Sequence, residues 1–206
     1  MMKRLAIVLM MVMGISGCMG TAPALLVRQY VLEYPPPAAP GAPASGEVLK
    51  VATFAVDRLY ASGAMIYRQD PFRREAYRER RWRIQPAEMV TDFLRRDLRH
   101  AGLFRAVIPL RDPMAGRYVL EGGVEEFLEV DEGENRKALL VATAALLDAD
   151  ARDSTKRVLF QKTYRCEALF VQKGGDGMAE AMSRAMSQFS SQVIADIAAA
   201  LKQPGR

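Results

Sequence analysis

Two thiols, one imidazole and a dense run of guanidinium groups are the side chains in this sequence with the most chemical potential. His100 stands alone, so a histidine pair for metal or proton relay is excluded, and no second ligand of the right type lies near it. The chain has no HExxH, no CxxC, no Ser-His-Asp set with a recognisable local motif and no glycine loop leading into a helix with a P-loop lysine. Enzymatic chemistry, a metal and a cofactor are therefore not expected. Glu125 and Glu126 sit in a strand pattern, where neighbours point to opposite faces, which separates them as an acid–base pair unless the backbone is rearranged. Gly122-Gly123 in the same strand reads as a bulge. Residues 68–83 concentrate Arg68, Arg73, Arg74, Arg78, Arg80, Arg81 and Arg83 around Tyr77 and the sole tryptophan, Trp82. Two readings stand side by side. Either Arg73, Arg74, Tyr77, Arg78, Arg81 and Trp82 form a contact surface for a partner or for lipid headgroups, or the two aromatics are core residues under a solvated basic face.

The first thiol has a specific context. Lys3 and Arg4 precede an apolar run from Leu5 to Met13 that is too short to span a bilayer, and Ile15-Ser16-Gly17 then lead into Cys18. This resembles the bacterial lipoprotein signal, in which the cysteine is diacylated and becomes the first residue after cleavage. The expected organisation is a signal peptide over residues 1–17, a lipidated tether over 18–27 and a periplasmic domain over 28–206 containing a Pro/Ala-rich loop at 35–46. At about 0.8 kcal/mol per buried methylene, two or three acyl chains anchor a protein stably. Met19 in place of an aspartate that often retains lipoproteins at the inner membrane points to the periplasmic face of the outer membrane. With Cys18 acylated, Cys166 has no disulfide partner, and its place among Phe160, Tyr164, Ala168 and Phe170 on one strand face marks it as a small core hydrophobe.

The elements that would position these groups follow from periodicity. About 189 residues remain after the leader, enough for one domain with its own core. The formal charge falls from +5 to +3 once Lys3 and Arg4 are removed, which is no nucleic-acid signature. Residues 29–34 and 48–56 have strand composition, and residues 64–67 follow a Ser62-Gly63 turn signal. The first ambiguity is whether the tether runs to Gly46 or residues 30–34 form a first strand before a proline-rich loop. Residues 86–101 read as an amphipathic helix with Pro86 at its start and Gly102 at its stop, its stripe being Met89, Val90, Phe93, Leu94, Leu98 and Ala101. Residues 117–130, 137–148 and 157–171 read as an antiparallel meander, the last strand alternating except at Lys162. A second helix opens at Gly174-Gly175-Asp176, with Asp176 as its cap and a stripe of Met178, Met182, Met186, Phe189, Val193, Ile197 and Leu201 destined for the sheet.

The order of these landmarks resembles the ABC-type transport auxiliary lipoprotein component family, which includes the third component of the paraquat-inducible (Pqi) systems. The residues concerned are Cys18, Tyr30-Val31-Leu32, Met65-Ile66-Tyr67-Arg68, the interval from Tyr77 to Trp82 with Pro86 after it, Met89 to Leu98, Gly102-Leu103-Phe104, Tyr118-Val119-Leu120 and the terminal helix. The resemblance implies an α+β fold like the TolB amino-terminal domain, a single antiparallel or mixed sheet packed by two main helices. It also implies work beside an MCE-domain protein and an ABC permease that move lipids between membranes, and it settles residues 30–34 as the first strand. It assigns no catalytic residue, and a homo-oligomer stays open. The Pro/Ala-rich loop and the arginines at 73–74 and 78–83 depart from the family pattern. The rival function is a lipoprotein regulator of another envelope machine such as peptidoglycan synthesis, which would need a long disordered arm; residues 19–27 make a short one.

Overall fold

The computed structural model describes residues 26–41, 44–133, 135–153, 155, 157–171 and 174–202. Cys18, the leader, most of the tether and two residues of the Pro/Ala-rich loop lie outside the described residues. The fold is α+β, a nine-stranded mixed sheet carrying two helices. Six strands precede its spine in the chain, β1 at Arg28–Tyr30, β2 at Val48–Val51, β3 at Ala55–Val56, β4 at Ala64–Arg68, β5 at Glu75–Trp82 and β6 at Ala106–Pro109, and the spine itself is β7 at Tyr118–Glu132. Two further strands, β8 at Asn135–Asp148 and β9 at Val158–Phe170, complete the meander with β7. One edge of β7 pairs along its whole length with β8. The other edge takes β2, β3 and β4 in succession, all parallel. The sheet therefore forks, β2 leading to β6 at one end and β4 leading to β5 and β1 at the other.

The helices cover the inner face of this sheet. Helix α1, Pro86–Ala101, begins on Pro86 and ends on Gly102, whose φ of 67° is the left-handed conformation that glycine adopts without a Cβ penalty. Helix α2, Gly175–Leu201, lays Met178, Met182, Met186, Phe189, Val193 and Ile197 onto the sheet, each fully buried. At about 1.5–3 kcal/mol per large side chain removed from water, that stripe is a main source of stability, and it leaves no groove of methionines for a partner. Phe189 packs edge-on against Tyr164 and Phe54, at ring separations of 5.4 and 6.4 Å. Cys166 is buried and free in this layer, and desolvation pushes its thiol up to about 11, so it is an inert core residue. Lys162, the exception in the β9 alternation, pairs with Asp196 of α2 at 2.8 Å, and Tyr164 donates to the same oxygen at 2.7 Å.

Four local expectations are corrected. The first strand is Arg28–Tyr30 rather than residues 30–34; the chain beyond it leaves the sheet, with Leu32 buried and Tyr34 donating to Asp97 of α1 at 2.7 Å. Asp176 lies in the first turn of α2 rather than at its cap, which is Gly174 at φ 130°. The register shift in β7 falls between Val124 and Glu126, not at Gly122-Gly123. Gly122 is glycine for another reason: a Cβ there would stand 2.2 Å from the Thr143 carbonyl oxygen and 2.7 Å from the Phe54 ring. Finally, the shifted backbone turns both Glu125 and Glu126 to the outer face, where Glu125 accepts from Thr143 and Glu126 meets Arg68, Arg74 and Arg165. Opposed faces do not separate this pair; the three guanidinium groups around Glu126 commit it to ion pairing.

Candidate functional site

The arginine-rich segment is a hairpin. After Arg68 the chain turns through residues 69–74 and returns as β5 antiparallel to β4, with Tyr67 opposite Glu75 and Ile66 opposite Ala76. The next pair is Ala64 with Arg81, so two steps along β4 correspond to five along β5. Such a bulge breaks the period-two alternation and re-aims the side chains within it. That is why a strand with five charged residues in eight can still deliver one large aromatic to the core.

Trp82 is that aromatic. It is 2 % exposed, packs edge-on to Phe127 at 5.3 Å and belongs to the hydrophobic core, so of its two readings the structure takes the core one and it leaves the candidate surface. Gly63 permits the close passage, since a Cβ there would meet the Trp82 carbonyl at 2.8 Å. Tyr77 is half-buried. Its ring stacks on Tyr67 at 4.5 Å, Arg80 covers it at 4.4 Å, and its hydroxyl donates to the buried Glu129 at 3.1 Å. Burial followed by the Glu129 charge drives the Tyr77 phenol well above its ordinary value, so it stays a neutral donor.

The arginines divide into committed and free. Arg74 donates to the carbonyls of Pro71 and Arg73 and reaches Glu126 at 3.5 Å. Arg68 meets the same carboxylate at 3.2 Å. Arg73 is well exposed and pairs with Asp70 at 3.3 Å. Arg78, Arg81 and Arg83 are exposed on β5 or just past it, and no carboxylate lies within 4 Å of them among the described residues. Strand β1 adds Arg28 beside Arg80, and Gln29 accepts from Arg83 at 2.9 Å. The surface that results is an arginine-bearing ribbon of β1 and β5 at one edge of the sheet. It retains Arg73, Arg78 and Arg81 from the sequence reading and recruits Arg28, Arg80 and Arg83, which that reading passed over as sites. Arg28 is 52 positions from Arg80 along the chain, and nothing in the sequence pairs them. Planar forks in this arrangement suit carboxylates and phosphates.

Among the described residues no group of three or more His, Cys, Asp and Glu side chains is placed to hold a metal ion, and no helix is long and apolar enough to cross a membrane. His100 is exposed in the last turn of α1.

A family model described as ABC-type transport auxiliary lipoprotein component matches residues 30–194, from the first strand to the last turns of α2. Among solved structures, the crystal structure of a Xanthomonas campestris protein of the DUF330 family is similar at a TM-score of 0.74 and 20 % identity, covering 84 % of this chain and 97 % of that one. A hypothetical protein of Chlamydia trachomatis is similar at a TM-score of 0.55 and 7 % identity, covering 76 % and 98 %. At such identities these likenesses show the fold alone. No curated protein matches the chain.

Proposed function

We propose a function on the premise that this chain belongs to the ABC-type transport auxiliary lipoprotein component family: it is a non-enzymatic accessory of an MCE/ABC-type system that moves lipid between the inner and outer membranes. Membership itself carries the coarser statement, an envelope lipoprotein associated with an ABC transport system. In the finer reading Cys18 is acylated and holds the domain at the periplasmic face of the outer membrane. The ribbon of Arg78, Arg81 and Arg83 then receives acidic groups of the MCE-domain protein.

The observation that carries the reading is the contrast along one hairpin. Arg68 and Arg74 are used up by Glu126, whereas Arg78, Arg81 and Arg83 stand exposed on an edge with no carboxylate partner among the described residues. Glu79, exposed between Arg78 and Arg80, forms no ion pair with them within 4 Å among the described residues, so these guanidinium groups stay open to a partner. A lipid tether of at most ten residues before β1 also favours work close to the membrane over a reach across peptidoglycan. The test is a pull-down of the acylated full-length protein from cross-linked membranes, read by mass spectrometry. It should recover an MCE-domain protein and an ABC permease, and Arg78→Glu with Arg81→Glu should lose both without changing the urea midpoint. Equal recovery by the double variant refutes the ribbon as the contact, and recovery of peptidoglycan synthases in place of transport proteins refutes the function.

A further inference from the structure

The ends of the sheet are not alike. Strand β1 runs parallel to β5, with Arg28 beside Arg80 and Tyr30 beside Trp82. The chain before Arg28 therefore travels back along β5 toward Glu75 and the turn at residues 69–74. At that turn stands Phe72, 95 % exposed, the most exposed of the large hydrophobic side chains among the described residues. Its exposure is imposed by its neighbours. Asp70 accepts from the amides of Phe72 and Arg73 at 2.9 and 3.0 Å, and Arg74 donates to the carbonyls of Pro71 and Arg73 at 3.0 and 3.2 Å. The turn is tied from within, and the phenyl ring is held away from the domain.

One exposed phenylalanine is ordinary; its position is not. Arg68, Val130, Lys137 and Leu169 lie level across four adjacent strands, so Leu169, 68 % exposed, and Val171, 92 % exposed, stand at the same end of the sheet. Leu26 and Val27 are exposed on the segment that heads there. We propose that this end faces the bilayer, and that Phe72, flanked by Arg73, sits in the boundary between headgroups and acyl chains as a second membrane contact beside the lipid anchor. The inference rests on the acylation of Cys18 proposed above. The lengths agree. Ten residues from Cys18 to Arg28 span up to about 35 Å when extended, and β5 from Glu75 to Arg81 lies opposite only the three steps from Tyr67 back to Ala64, about 10 Å of sheet, so the anchor can lie in the same membrane as the tip. Aromatic and aliphatic side chains beside a basic residue are the composition that enters this boundary. Glu75 and Glu132 also lie near this end, so the contact is apolar insertion and not general attraction to anionic lipid.

The experiment labels the acylated full-length protein with an environment-sensitive fluorophore at Phe72→Cys, and separately at Val158→Cys at the opposite end of the sheet. Cys166 is buried and Cys18 carries lipid, so the introduced thiol is the one that reacts. In vesicles of phosphatidylethanolamine with phosphatidylglycerol, and equally in phosphatidylcholine, emission from position 72 should move to the blue and be quenched several-fold more by headgroup nitroxide than emission from position 158. Protein that sediments with vesicles but shows equal quenching at both positions, or more at 158, overturns the orientation and leaves the anchor intact. Protein that fails to sediment overturns both.

Discussion

Asp97 offers the sharpest test of how the helices are joined to the rest of the domain. It is fully buried on α1, where its Oδ2 accepts from Tyr34 at 2.7 Å and its Oδ1 accepts from Arg96 Nε at 2.8 Å. The Arg96 guanidinium lies over the rings of Tyr34 and Phe93 at 4.4 and 4.5 Å, and those rings stack at 5.2 Å. Tyr34→Phe keeps the stack and removes one charge-assisted hydrogen bond from a buried carboxylate, at a cost of about 1.5–3 kcal/mol. Asp97→Ala leaves Arg96 without its partner; breaking a fully buried pair costs about 3–5 kcal/mol, and since Arg96 retains 33 % side-chain exposure the lower end, about 3, applies. The double variant should show a coupling of about 1.5–2.5 kcal/mol, because the tyrosine bond cannot be lost twice. Urea unfolding followed by fluorescence of Trp82, the sole tryptophan and a buried one, reads this directly. With a slope of about 2 kcal/mol per molar urea, Tyr34→Phe should lower the midpoint by about 1 M. Additive single effects, or a Tyr34→Phe midpoint equal to wild type, would refute the view that this carboxylate pins the segment entering the proline-rich loop to α1.

Three further outcomes are expected. Phe189→Ala, which removes a fully buried ring between Tyr164 and Phe54, should cost about 3–5 kcal/mol in the same urea assay; an unchanged midpoint means α2 is not packed as described. Burial raises the Glu129 carboxyl above its ordinary range, so the native state holds that proton more tightly than the unfolded chain, and stability falls as pH rises from about 4.3 through the raised value. Glu129→Gln should therefore raise the melting temperature at neutral pH and lose that advantage in acid, and a pH-independent difference would count against the assignment. Cys18→Ala should abolish fatty-acid labelling and release the domain from membranes on fractionation.

Periodicity made the helices and the meander legible, because their signals are local. Pro86 and Gly102 bracket α1, and the methionine stripe of α2 repeats every three to four residues over its length. The fork of the sheet was not legible, since β2, β3 and β4 add to β7 through parallel pairings that no turn sequence announces. Asp97 escaped for a related reason: it sits on the apolar side of α1 as an acidic residue, and beside its neighbour Arg96 it is held by Tyr34, 63 positions away. Gly175 shows the same limit: a Cβ there would meet the tip of the Tyr30 ring at 2.2 Å, a contact that sets where the ring can lie and that nothing near either position announces.

The arginine run illustrates how composition and geometry answer different questions. Seven arginines in sixteen residues announce a basic segment, yet charge density says nothing about which of them is available. Availability is decided by register. The bulge on β5 sends Trp82 inward and places Arg80 on Tyr77, while Glu126, turned outward by its own bulge on β7, captures Arg68 and Arg74. Two irregularities on different strands thus sort one run into a clamp that fixes the hairpin and a ribbon that faces solvent. The clamp also holds the turn that presents Phe72, so the features proposed to meet membrane and partner share one mechanical base. The ribbon climbs β5 away from that turn, so Arg83 lies farther than Glu75 from the end proposed to meet the bilayer. A partner reading the arginines would approach along the flank of the domain, leaving the apolar tip to the lipid.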